Sequence, residues 1–139
     1  REIVFRRPQE RFRLESLIHP LIISEINQQK TSFAQYKYGV IEMPLLVGYP
    51  VFAALADCVL VIDAPELDRI ERVQQRSGLH EDEIRRIIAA QTPRLALLRA
   101  ANDVIVNGGS AQDLCEKVRR VHRFYQNARV PEKYGRSGE

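Results

Sequence analysis

Apolar positions fall into two patterns along the chain. From Pro8 to Lys30 they recur three and four residues apart, at Phe12, Leu14, Leu17 and Ile18 and then at Leu21, Ile22, Ile23 and Ile26, which predicts helix. Pro8 is placed to open it. His19-Pro20 predicts a break, because proline disfavours helical geometry in the residue before it, so the front of the chain is expected to be a bent helical pair. Further on, Tyr38–Met43, Asp57–Asp63 ("DCVLVID") and Asp103–Asn107 ("DVIVN") are β-branched and almost continuously apolar. Such runs predict strands covered on both faces of a parallel sheet. Helical segments between the last two fit a βαβ order.

Those segments carry their own start and stop signals. Pro65 opens a helix with Leu67, Ile70 and Val73 as its expected buried stripe, and Gly78 follows its end. A second helix is predicted over His80–Gln91. Glu81, Asp82 and Glu83 occupy its first turn, where the helix dipole favours acids, and Ile84, Ile87 and Ile88 face inward. After the third strand, Ser110 and Asp113 make a start resembling a capping box, with Asp in place of Glu or Gln. Leu114, Val118, Val121, Tyr125 and Ala128 then repeat at helical spacing. The closing "VPEKYGRSGE" is polar and contains Pro and Gly, and is expected to be a flexible tail.

Composition adds limits to this α/β outline. With 139 residues, 45% of them hydrophobic, the chain can build one core of ordinary size. The charged fraction is 28%, and no apolar run reaches the roughly 18–20 residues that span a bilayer. The first residues are charged and no apolar h-region follows, so no signal peptide and a cytoplasmic setting are expected. The chain starts at Arg1 and its one methionine is Met43, from which a fragment of a longer protein is expected. Cys58 and Cys115 belong to no CxxC pattern and are expected to be buried reduced thiols. His19, His80 and His122 stand apart from one another, so no metal site is expected. The net charge of +3 is carried mostly by arginine, which suits bidentate contact with phosphate.

Two features carry candidate chemistry. Arg72 and Arg76 lie four residues apart with Arg69 on nearly the same face, a stripe that could bracket phosphate oxygens. The alternative is a solvated face partly neutralised by Glu66 and Asp68, although Arg85, Arg86, Arg94 and Arg99 continue the positive character. Asn107-Gly108-Gly109 follows a strand and precedes a helix, where a glycine turn lets a flat ligand approach the backbone. As a lone motif it is weak, since most such turns merely connect.

Taken in order, "LESLIHPLI", "MPLL", "VLVIDAPE", "RVQQRSGL", "AAQ" and "NDVIVNGG" followed by an amphipathic helix resemble dephospho-CoA kinase from about Ile3 to Ala128. The correspondence is to the family's C-terminal two thirds. The resemblance implies a P-loop NTPase fold of the nucleoside monophosphate kinase type, three-layered α/β, here an incomplete parallel sheet with an added helical acceptor region. It implies transfer of the ATP γ-phosphate to the 3′-hydroxyl of dephospho-CoA, with Mg²⁺ arriving on ATP. By the same resemblance residues 1–37 form the acceptor-binding region, 38–64 and 100–128 the partial nucleotide-binding core, 65–99 the lid and 129–139 the tail. Arg72 and Arg76 match lid arginines that close over the phosphates. Asn107 and Gly108 match the adenine loop, and Arg94 is a further candidate for the nucleotide. His19, Pro20, Pro44, Leu45 and Leu46 match the acceptor side.

The sequence has no G-x-x-x-x-G-K-[ST], the loop that cradles the β- and γ-phosphates. The family carries it, and the acidic motif that follows, nearer its N-terminus. The chain alone is therefore expected to be inactive, with sheet edges that lack a partner strand. Gly48, Leu97, Asn102 and Val106 depart from the family pattern, where Glu, a basic residue, an acid and an acid are usual. The rival reading is a basic α/β module without catalysis that binds a CoA-like nucleotide or RNA. Scarce aromatics and no Trp leave few stacking platforms for nucleic acid.

Overall fold

The computed structural model describes residues 8–127 apart from residues 34 and 45. The chain divides into two compact units that meet between Glu42 and Met43.

The first unit is built on one long helix, α1 (Pro8–Ser32), with Pro20 inside it. The expected break at His19-Pro20 does not occur. The restriction proline places on its predecessor is a bias, and cooperative helix growth on both sides overrides it. Most of the apolar positions expected to form the inner face lie open: Phe12, Leu14, Leu17, Ile18 and Leu21 are exposed, and Ile26 is buried. Residues 38–43 are not a strand, which corrects the expectation for Tyr38–Met43. A strand is stable only when its backbone groups pair with a neighbouring strand, and no strand pairs with this segment among the described residues.

The second unit holds a two-stranded parallel sheet. Strand β1 (Leu60–Asp63) pairs with β2 (Asp103–Val106), Leu60 opposite Asp103 and Asp63 opposite Val106. Both strands are shorter than their apolar runs. A short helix, α2 (Pro50–Ala53), precedes the sheet; α3 (Glu66–Ser77), α4 (Glu81–Ala89) and α5 (Arg94–Ala100) form the crossover, and α6 (Ala111–Asn127) follows β2. Pro50 at the first turn opens α2 and swings Phe52 inward, where it is 0% exposed with Tyr49 edge-on at 6.1 Å.

Ile70 of α3, Ile84 of α4 and Ile105 of β2 complete the buried apolar positions of this unit, while Leu67, expected on the inner stripe, is exposed. The strands are not covered on both faces as expected. Ile105 is buried, but Val104, Val106 and Ile62 are exposed; the last helix packs on β2, and Ile62, registered opposite Ile105, stays open. Asn102, a departure from the family pattern, extends the ladder: its Oδ1 accepts from Val59 N–H at 2.8 Å, and its own N–H donates to Val59 O at 2.9 Å.

Helix ends follow their signals closely. Gly78 closes α3 in the left-handed region (φ 66°) and donates to Gln74 O, a conformation that strains any residue with a Cβ. At α6, Asp113 Oδ2 accepts from the backbone N–H and the hydroxyl of Ser110, at 2.9 and 2.8 Å. The Asp113 N–H donates back to Ser110 Oγ at 3.1 Å. These bonds, the hydroxyl first, hold the Asp113 carboxyl below its ordinary range. A Cβ on Gly109 would come within 2.7 Å of Asp113 Oδ2, so this reciprocal cap needs glycine there.

Candidate functional site

Ligands of open parallel sheets bind outside the carboxyl ends of the strands. Here that edge consists of Asp63-Ala64-Pro65 after β1 and Asn107-Gly108 after β2. The two turns are tied together: Asn107 N–H donates to Asp63 O at 2.6 Å, and a Cβ on Gly108 would lie 3.4 Å from Pro65 Cδ. The glycine turn thus packs against the start of α3.

Asp63 is a buried carboxylate, 8% exposed. Arg94, in the first turn of α5, reaches it with a two-point fork: Nε donates to Oδ1 at 2.7 Å and Nη2 to Oδ2 at 2.6 Å. Hydrogen bonding from Arg94 pulls the Asp63 carboxyl below its usual value against the cost of burial, and the Arg94 guanidinium is pushed up in return. The pair forms because β1 ends on an acid and Pro93 sets the start of α5. Sequence reasoning singled out Arg94 but not its partner. The signal was an Asp closing an apolar strand, where an unpaired charge would be costly.

The arginines on the crossover helices differ in how they are engaged. Arg85 joins Glu66 at 2.7 Å and Glu81 at 2.6 Å, bracing α3 against α4. Arg69 donates to Gln91 Oε1 at 2.6 Å. Arg72 stands 3.8 Å from Asp68. Arg76 makes no side-chain hydrogen bond or ion pair among the described residues. It lines, with Arg69 and Gln91, a cavity of about 210 Å³ whose floor is Val73, Ile84 and Ile88. The structure thus sets Arg76 and Arg69 around one hollow and leaves Arg72 off its rim.

On the acceptor side, His19 is half-buried and Pro20 exposed on α1 in the first unit, whereas Pro44 (exposed) and Leu46 (half-buried) lie in a turn of the second, with Leu46 N–H donating to Met43 O. Leu45 lies outside the described residues. Both cysteines are free and exposed, which corrects the expectation of buried thiols. Cys58 precedes β1 outside the ladder, and Cys115 is on the outer side of α6. Cys58 Sγ donates to Asp103 Oδ2 at 3.5 Å, and Tyr125 Oη donates to the same oxygen at 2.8 Å, a cluster the sequence pattern did not reveal. Partial burial, the first cause, pushes both hydroxyl and thiol up from their ordinary values; Cys58 and then Asp103 add to it at Tyr125, while at Cys58 the Tyr125 hydrogen bond works against it and Asp103 adds to it. Among the described residues no three His, Cys, Asp or Glu side chains converge as a metal set, and no helix is long and apolar enough to cross a membrane.

Residues 1–113 match the family model for dephospho-CoA kinase. A protein of that name from Neisseria meningitidis serogroup B is 42% identical over 125 residues, covering 90% of this chain and 60% of its own. One from Nitrosomonas europaea is 42% identical over 125 residues (90% and 61%), and one from Bordetella pertussis 44% identical over 124 (88% and 58%). The crystal structure of TT1252 from Thermus thermophilus superposes with a TM-score of 0.72 at 28% identity, over 88% of this chain and 63% of that one. The α/β arrangement of the P-loop kinase type is thereby shown. The chain spans about 60% of the length of these relatives.

Proposed function

The chain belongs to the dephospho-CoA kinase family, and from that premise we propose that it contributes the acceptor, lid and adenine-side parts of an enzyme that phosphorylates the 3′-hydroxyl of dephospho-CoA with ATP in the cytoplasm. Residues 65–99 are the lid, 38–64 and 100–128 the nucleotide-binding core, and 1–37 the acceptor-binding region. The acceptor hydroxyl oxygen bonds to the γ-phosphorus, the bond from that phosphorus to the ADP oxygen breaks, and the hydroxyl proton leaves to a base outside this chain. The work of these residues is positioning and charge stabilisation, the main sources of rate in phosphoryl transfer.

The observation that carries the reading is the unengaged guanidinium of Arg76, the one described crossover arginine of the candidate set with no partner to surrender. It can meet the charge that develops on the transferring group without first breaking a bond. Arg72 supports it from one turn earlier, held only loosely by Asp68. Asn107 and Gly108 receive adenine at the strand edge, and His19, Pro20, Pro44, Leu45 and Leu46 bind the acceptor. Mg²⁺ accompanies ATP.

The test is a coupled ADP-release assay on the full-length gene product with ATP and dephospho-CoA, with the product identified by mass as coenzyme A. ATP-dependent formation of coenzyme A is the expected result. Phosphorylation of other nucleosides but not of dephospho-CoA would overturn the substrate, and ligand binding without turnover would favour the non-catalytic module.

A further inference from the structure

Arg94 is the third basic residue, after Arg72 and Arg76, that sequence resemblance directs to the nucleotide, yet its geometry assigns it different work. Two of its three nitrogens, Nε and Nη2, are occupied by the two oxygens of a single buried carboxylate. A fork of this kind is the strongest and most directional contact arginine makes. Releasing it would strand Asp63 as an unpaired charge 8% exposed, so the pair resists being opened for a passing phosphate. Arg94 is therefore expected to stay on Asp63 whether or not nucleotide is bound.

Asp63 is also joined to the turn after β2. Its carbonyl oxygen takes the Asn107 N–H at 2.6 Å, while its side chain takes α5. One residue thus couples the first turn of a crossover helix to the Asn107-Gly108 turn, and Pro65, two residues on, abuts Gly108. If the Arg94 fork is lost, the Asp63 carboxylate must turn towards solvent or neutralise, and the backbone at the end of β1 moves with it. Asn107 is bonded to that backbone and would shift as well.

We infer that Asp63 is a positioning residue for nucleotide binding, with Arg94 as its brace and not a phosphate ligand, so that the pair holds the Asn107-Gly108 turn in the shape that accepts the base. The inference rests on the kinase reading above for the identity of the nucleotide. It reassigns Arg94 and gives a role to Asp63, which acts through Asn107 without touching substrate.

The two roles for Arg94 lead to opposite results in Asp63→Asn. If Arg94 were a phosphate ligand restrained by Asp63, removing the acid's charge would free it, and the KM for ATP would stay the same or fall. With Arg94 as a brace, the KM for ATP rises about tenfold, the scale of a modest misplacement of a binding group, and the KM for dephospho-CoA does not change. Preference for ATP over GTP weakens in the same variant, because the base-facing turn has loosened. Arg94→Lys shifts in the same direction, since one ammonium cannot span both carboxylate oxygens.

An unchanged or lower KM for ATP in Asp63→Asn overturns the inference, and so does a loss confined to kcat and thermal stability, the mark of a merely structural pair. Should Asp63→Asn fail to fold, Arg94→Gln is decided by the same KM. Direct calorimetric titration of ATP into the full-length wild type and variants separates this inference from the parent reading. A wild type that makes no coenzyme A sinks the kinase assignment, whereas equal ATP affinity in wild type and variants sinks the brace.

Discussion

Helix α1 and the β1–β2 seam show two ways in which side chains hold a backbone. Along α1 a run of bonds is local: Ser16 Oγ donates to Arg13 O, Gln29 to Glu25, Thr31 to Gln28 O and Ser32 to Gln29 O, each three or four residues back. Around the seam they link distant parts of the chain. Arg94 reaches Asp63, Tyr125 reaches Asp103, Lys117 reaches Val106 O, and Asn102 reaches Val59. The apolar positions differ in the same way. Phe12, Leu17 and Leu21 of α1 are exposed, whereas Phe52, Ile70, Ile84 and Ile105 are buried. Local bonds define a helix but say little about what it packs on. Long-range bonds define a site, and the candidate chemistry at the strand edge lies where they converge.

The widest separation between the two regions should come from their apolar residues. Phe52→Ala is expected to lower stability by about 3–5 kcal/mol, as deletion of a fully buried ring does, measured by denaturant unfolding. A loss below about 1 kcal/mol would mean that the region around α2 is not a packed core.

Next in size, and on the proposed kinase reading, Arg76→Ala should lower kcat of the full-length protein by about 10²–10³-fold, the usual effect of removing one charge-stabilising donor. Arg85→Ala, which breaks bonds to Glu66 and Glu81 on the protein's own surface, should leave kcat nearly unchanged. Equal losses would show that engagement in the resting structure does not distinguish a catalytic arginine from a structural one.

The seam should also set the pH range of stability. Asp63 is held below its ordinary value of 3.8, so its contribution is complete above that pH and drains away as pH falls through the lower, folded value. Cys58 and Tyr125 are held above their ordinary values of 9.0 and 10.0. Their contributions are complete below those values and are lost as pH rises past them. Thermal melts across pH should therefore show a plateau from about pH 4 to 9. Tyr125→Phe should blunt the alkaline fall and leave the acid limb in place.

The smallest effect belongs to α1. Leu17 is 65% exposed, and Leu17→Ala should stay within about 0.5 kcal/mol of the parent. A larger loss in the same unfolding measurement would reveal a buried role for that face and erase the contrast with Phe52.

Much of this molecule was legible before any coordinates. Pro65 and Gly78 bracket α3 within a residue of the expected ends. Ser110 and Asp113 make the cap their spacing predicts, and the two later apolar runs pair as parallel strands. These features depend on backbone chemistry within a few residues, or on an apolar run long enough to demand burial. The failures concern partners. Tyr38–Met43 has the composition of a strand, but among the described residues no strand pairs with it, and α1 passes straight through Pro20. Of the candidate site, the sequence pointed to the Asn107-Gly108 turn and to the arginines as a group. It could not sort Arg94, clasped by Asp63, from Arg76, which is clasped by nothing among the described residues.

By itself, then, the sequence determined the helix ends, the parallel pairing to be expected of two apolar runs, and membership in a nucleotide-handling family. Each of these is written in near neighbours or in ordered motifs. Only the tertiary structure decided which charges cancel and which stay available. A guanidinium 31 residues from a carboxylate finds it through the register of β1 and the placement of α5, and no local pattern carries that distance.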